Sequence, residues 1–259
     1  MDWIMLRGLT REQAHWGPLP EELATAFTGH KFHCIDLPGT GTRYEQDCPL
    51  SIEEITADIR KDLDGLGRPY GIIGVSLGGM VALNWAQKAA TGEVAALVLV
   101  NSSSRLSPFL ERMRPHAYPK ALAMMVSGNL RAREKRILSL TSNQDVAPEL
   151  LADWYNIQRE RPVSVPNGLR QLVAAARFQP ATNEPDCPAL VLTSRRDRLV
   201  SWQCSRDLAN HWGWPLKVND WAGHDLPLDD PEWIVDQLRR FMIENEMDAA
   251  PVEPSLVAS

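Results

Sequence analysis

Residues 70–80 read Tyr-Gly-Ile-Ile-Gly-Val-Ser-Leu-Gly-Gly-Met, YGIIGVSLGGM: one hydroxyl, Ser76, closes an apolar run and is crowded by glycines at 74, 78 and 79. Ordinary glycine and serine frequencies produce a Gly-x-Ser-x-Gly match in about one chain in twelve of this length, so the flanks decide its meaning. Ile72, Ile73 and Val75 read as a short buried parallel strand, and MVALNWAQKAA from Met80 to Ala90 as a helix. A strand, a sharp turn and a helix are what an exposed nucleophilic serine requires. Neighbours without a Cβ let strand and helix approach. The serine then stands at a helix N-terminus, where the Leu77 amide is free to bind an anion.

Working outward, the first 104 residues alternate strand and helix signals. Trp3–Leu6 is strand-like, PLPEELATAF from Pro18 is helical, and FHCIDL from Phe32 is again a strand. Ser51-Ile52-Glu53-Glu54 is a capping box, followed by Ile55, Ile59 and Leu63 on one face and Gly65 as a stop. AALVLV, residues 95–100, is another buried strand. This βαβ rhythm predicts a mostly parallel, doubly wound sheet covered on both faces.

From about Ser107 to Phe178 the rhythm gives way to four helical segments, FLERMRPHAYPKALAMMVSG, NLRAREKRILSL, ELLADWYNIQRE and GLRQLVAAARF. Strand and helix then resume at Ala189–Thr193, Trp202–Trp212 and Leu216–Val218, and Asp230-Pro231 opens a last helix. The expected division is a core of residues 1–106 and 179–245, a helical insertion at 107–178 and a disordered tail at 246–259.

A nucleophilic serine needs a base and an acid to orient it. In open α/β sheets these stand past the carboxyl ends of later strands. Asp197 follows PALVLTS and His224 follows LKVNDWAG, in the order serine, acid, histidine. The developing oxyanion needs two amides. Leu77 offers one and Leu9, in the loop LRGLTREQAHWG, the other.

The chain has 259 residues and a formal net charge of −6, which argues against general nucleic-acid binding. The charge is uneven: residues 105–177 carry twelve Lys/Arg against six Asp/Glu. The four cysteines, at 34, 48, 187 and 204, have neither redox nor zinc spacing, and no His-Glu-x-x-His cluster exists, so no metal site is expected. MDWIMLRG lacks the form of a signal peptide and no stretch is long enough to span a membrane, so a cytoplasmic location is expected.

With these motifs in view (RGL after the first strand, IDLPGTG, GVSLGG, SRRDRLV and GHDLPLDDPEW) the chain resembles the α/β-hydrolases, in particular lid-bearing serine carboxylesterases, from Trp3 to about Glu244. The resemblance implies Ser76 as nucleophile, His224 as general base then acid, Asp197 as its orienting carboxylate, Leu9 and Leu77 as oxyanion amides, and residues 107–178 as a lid. It implies ester hydrolysis through an acyl-enzyme, without a cofactor, on a small-molecule ester. Thioester, lactone or carbon–carbon cleavage on the same triad, and a non-catalytic ligand-binding role, stay open. Arg7 stands where the family usually has histidine, either perturbing the oxyanion loop or placing a cation at the substrate. Arg7, Met124 and Trp154 are expected in the substrate pocket. The lid arginines 112, 131, 133, 136, 159 and 161 resemble in kind the basic lid of esterases acting on carrier-bound pimeloyl methyl ester, which suggests an acidic acyl carrier protein as partner.

Overall fold

Alternation along each strand sorts its side chains onto two faces, and each face takes its own layer of helices. In β1 (Asp2–Leu6), Ile4 and Leu6 join one apolar cluster while Trp3 and Met5 join the other. The same split runs through β3 (Tyr70–Val75) and β4 (Val94–Val100). Every residue of β3 is buried, as a strand covered on both sides must be. With β2 (Lys31–Ile35), β5 (Ala189–Ser194) and β6 (Leu216–Asn219) the sheet order is β2-β1-β3-β4-β5-β6, and every pairing is parallel. The computed structural model describes residues 1–63, 66–125 and 127–247, without the side chains of residues 62, 121, 122, 124 and 125.

On one face lie α2 (Ile52–Ile59), α3 (Leu77–Lys88) and α9 (Trp202–Trp212); on the other lie α1 (Leu19–Ala26) and α11 (Pro231–Glu244). The caps anticipated from sequence are made. Ser51 Oγ accepts from the Glu54 amide at 3.2 Å, and the Asp230 carboxylate accepts from the Trp233 amide at 3.3 Å. The expected stop at Gly65 lies outside the described residues, as does the expected tail beyond Met247.

Among the described residues, five helices stand between β4 and β5: α4 (Phe109–Arg112), α5 (Ala117–Met125), α6 (Leu130–Thr141), α7 (Pro148–Glu160) and α8 (Val165–Arg177). One helical segment expected from residue 109 onward is two, because Pro115 disfavours helical geometry at Arg114 and breaks the run. A short α10 (Leu226–Asp229), not anticipated, follows His224 directly. The insertion is pinned to the core beneath it. Asp229 accepts from Ser142 Oγ at 2.5 Å, the Asn143 amide at 2.9 Å and the Gly223 amide at 2.6 Å, and the Asp225 amide donates to Thr141 O at 2.8 Å. Among the described residues no helix is long and apolar enough to cross a membrane.

The β3–α3 turn is packed backbone to backbone. A Cβ added at Gly78 would stand 2.2 Å from Leu6 O and 2.6 Å from Arg7 O. Gly78→Ala must therefore displace β1 or α3, and we expect a loss of about 2–3 kcal/mol in urea unfolding.

Candidate active site

Ser76 sits between the last residue of β3 and the first of α3 with φ 56° and ψ −113°, a conformation non-glycine residues rarely hold. It is fixed from both sides: its amide donates to Val100 O at 2.8 Å, and its carbonyl accepts from Ser102 Oγ at 2.9 Å. The loop after β1 runs close by, since a Cβ at Gly8 would lie 3.2 Å from Ser76 Cβ. Leu9 lines the same cavity as Ser76, and its amide has no acceptor among the described residues. The Leu77 amide begins α3 and has no intrahelical acceptor.

Asp197 lies past β5 and is buried. Its Oδ1 accepts from the amides of Leu199 and Val200 at 2.7 and 2.9 Å, and its Oδ2 lies 2.6 Å from His224 Nδ1. His224 lies past β6, is buried, and lines the cavity that Ser76 lines. Burial alone would lower the imidazole pKa; the charge and hydrogen bond of Asp197, with a smaller contribution from Asp225, outweigh burial and the opposing Arg7, so the net direction is upward. The predicted serine, acid and histidine therefore stand together past the carboxyl ends of the strands, as do Leu9, Leu77 and Arg7.

Arg7 is buried and paired with Asp225 through two bonds, Nη1–Oδ1 3.1 Å and Nη2–Oδ2 2.7 Å, with its guanidinium 4.9 Å from the centroid of Trp16. It lines the cavity, yet as half of a neutral pair rather than as an isolated cation. The bond anchors the loop after β1 to the residue after His224. The Met124 side chain lies outside what the structure describes. Trp154 is a correction: it is not on the cavity wall but packs edge-on to His15, at 4.9 Å between centroids, and under the Arg11 guanidinium, also at 4.9 Å. Its ring is consumed in fastening α7 to the loop after β1.

Two residues escaped the sequence reading. Asn101, buried at the end of β4 with φ 46°, donates from Nδ2 to His224 O at 2.8 Å and accepts from the Ser194 amide at 2.8 Å, tying the histidine loop to β4 and β5. An asparagine directly after an apolar strand was the available signal, because asparagine tolerates positive φ. Glu12, fully buried in the loop after β1, faces Arg161 at 2.8 Å. Burial raises its carboxyl pKa to about 7 against the opposing Arg161. His15 beside it is held neutral, its pKa lowered by burial and by Arg11. The cysteines are free thiols whose pKa burial raises to about 12.

The cavity above Ser76 is bounded by the core on one side and by α6, α7 and α8 on the other. Apolar groups dominate it, among them Val75, Met113, Ile137, Leu140, Leu172 and Leu199. Residues 4–237 match the model of the alpha/beta hydrolase family. The chain belongs to this family. A pimeloyl-[acyl-carrier protein] methyl ester esterase of Chromobacterium violaceum is 28% identical over 237 residues, covering 87% of this chain and 82% of that one. The enol-lactonase of Burkholderia xenovorans LB400 superposes with a TM-score of 0.74 at 19% identity, over 93% of this chain and 91% of its own. An esterase of Exiguobacterium antarcticum does so at 0.73 and 16% identity, over 94% and 92%. At those identities the two structures speak to the fold alone, which this hydrolase shares.

Two predictions follow from the charges. Asp197→Asn removes the group that holds the His224 pKa up, leaving burial and Arg7 to lower it. The acidic limb of any His224-dependent activity should then move to lower pH, while the maximal rate falls by about a hundredfold or more. Glu12 has the opposite linkage to a stabilising carboxylate: its folded pKa of about 7 exceeds the ordinary 4.5, so the folded state holds the extra proton. Stability should therefore fall by up to about 3 kcal/mol as pH rises from 4.5 to 7. Glu12→Gln should flatten that part of the profile, read by urea midpoints across pH.

Proposed function

We propose that this hydrolase cleaves carboxylic esters with Ser76 as nucleophile, His224 as general base and acid, and Asp197 as orienting carboxylate. The observation that carries the reading is the 2.6 Å contact of His224 Nδ1 with the buried Asp197, beside a serine held at positive φ on the wall of the same cavity. Asp197 keeps the proton of the neutral imidazole on Nδ1, leaving Nε2 to accept the serine proton. Ser76 Oγ attacks the acyl carbon, and the amides of Leu9 and Leu77 stabilise the oxyanion, at about 3–4 kcal/mol per donor. His224 passes the proton to the leaving alcohol, and water attacks the acyl-enzyme through the same base. Residues 107–178 act as the lid, excluding water from the cavity they roof.

A carrier-bound acyl ester is one substrate form this chemistry would serve, on two observations. The curated relative is named for such a substrate. On the outer side of the insertion, Arg131, Lys135, Arg136 and Arg159 are exposed, a basic surface suited to an acidic carrier. The other three arginines singled out in the sequence are engaged internally. Arg112 donates to the carbonyls of Ala175 and Ala176, Arg133 to Glu134 and Gln158, and Arg161 pairs with Glu12.

Hydrolysis of p-nitrophenyl esters from acetate to palmitate tests the chemistry. The wild type should turn over at least part of the series, and Ser76→Ala should lose about a thousandfold or more while remaining folded. Turnover independent of Ser76 would refute the assignment. Alanine at Arg131, Arg136 and Arg159 together should raise KM for an acyl-carrier-protein ester at low salt and leave the p-nitrophenyl series unaltered.

A further inference from the structure

Apart from His224 and the Arg7–Asp225 pair, the charged side chains of the cavity wall stand at one place, where α6 and α7 meet the loop after β1. Arg11, Arg133 and Gln158 all line it there. Arg11 Nη1 donates to Glu134 Oε2 at 2.8 Å, Arg133 Nε donates to Glu134 Oε1 at 3.2 Å, and Arg133 Nη2 donates to Gln158 Oε1 at 3.1 Å. Glu134 is completely buried and is not itself on the cavity wall. The carboxylate stands behind, and the donors stand in front.

Two features of this cluster are unresolved by the protein's own groups. Two guanidiniums share one carboxylate, which leaves a net positive charge facing a largely apolar cavity. Gln158 is 1% exposed, and its Nε2 has no acceptor among the described residues, although its oxygen is used. A buried donor without a partner costs roughly 1–3 kcal/mol, and a missing counter-charge adds to that. Among the described residues, the other Arg–Asp pair on the wall, Arg7 with Asp225, is already neutral. Glu12 behind the loop, its pKa raised by burial to about 7, faces Arg161 at 2.8 Å, so what charge it carries is already matched.

We infer that Arg133 and Gln158, with Arg11 beside them, form a subsite for an anionic carboxylate on the acyl chain, so that monoesters of dicarboxylic acids are preferred substrates. The substrate's carboxylate supplies the missing counter-charge and takes the free Gln158 donor, while its ester carbonyl lies at Ser76. Hydrolysis consumes one water and releases the alcohol and a dicarboxylate; the subsite carboxylate is unchanged by the reaction. The inference rests on the serine-hydrolase reading above and not on the carrier-bound form: a chain joined to a carrier at its far end brings no carboxylate to the subsite, so the substrate class added here is the free monoester.

The test compares monomethyl esters of straight-chain C5–C9 dicarboxylic acids with methyl alkanoates and with ω-carboxamide methyl esters of equal length. For the best-fitting length, kcat/KM should favour the carboxylate over both neutral chains by about tenfold or more, mainly through KM. Arg133→Met should lower that ratio by a similar factor, and Arg133→Lys should keep part of it. Gln158→Glu keeps the shape of the side chain and reverses its contribution, so it should lower the ratio at least as far, and it carries the test if Arg133→Met does not fold. Equal rates for carboxylate and carboxamide, or a ratio unchanged in both variants, would overturn the subsite. Ser76-dependent turnover of p-nitrophenyl butyrate reports the underlying chemistry separately. If that is present without a carboxylate preference, only the subsite falls; if it is absent, both fall.

Discussion

A serine held at φ 56° costs of the order of 1–3 kcal/mol, and it persists only because the surroundings leave it no alternative. Val100 O and Ser102 Oγ hold its amide and carbonyl, so the end of β4 is part of the turn. Gly78 has no side chain because Leu6 O occupies the space, so β1 is part of it too. The neighbour of Val100, Asn101, carries the histidine loop on its side-chain amide. One strained turn thus touches the end of β1, the start of the loop that follows it and, through Asn101, the loop that carries His224.

Around that turn the charged groups are placed by burial more than by attraction. Arg7–Asp225, Arg11–Glu134 and Arg161–Glu12 all involve side chains removed from water, where one unpaired member would cost several kcal/mol. Each pair joins the loop after β1 to a different neighbour: the histidine loop, α6 and the end of α7. Gln171 on α8 adds a fourth tie, accepting from the Thr10 amide at 2.8 Å. The loop presenting the Leu9 amide is consequently held by the insertion as firmly as by the sheet, and displacing those helices would disturb it.

The parallel α/β core, its caps and the order of serine, acid and histidine were legible because each rests on local chemistry: apolar alternation, hydroxyl caps, a glycine-crowded turn and residues just past strands. The surroundings of the site were not. Trp154 read as a pocket residue because an aromatic on a helical face carries no mark of what it meets, and it meets Arg11 and His15 from another part of the chain. Whether Arg7 perturbs its loop or brings a cation to the substrate stayed open in the sequence because its partner lies 218 residues away.

By itself, then, the sequence determined the fold class and the three residues brought together past the strand ends, since the periodicity and turn chemistry that encode them act over a few neighbours. Only the tertiary structure decided which charges are cancelled, which helical residues face the cavity and which donor, at Gln158, is left unpaired. Those outcomes depend on burial and on contacts between segments a hundred or more residues apart, and no local pattern records them.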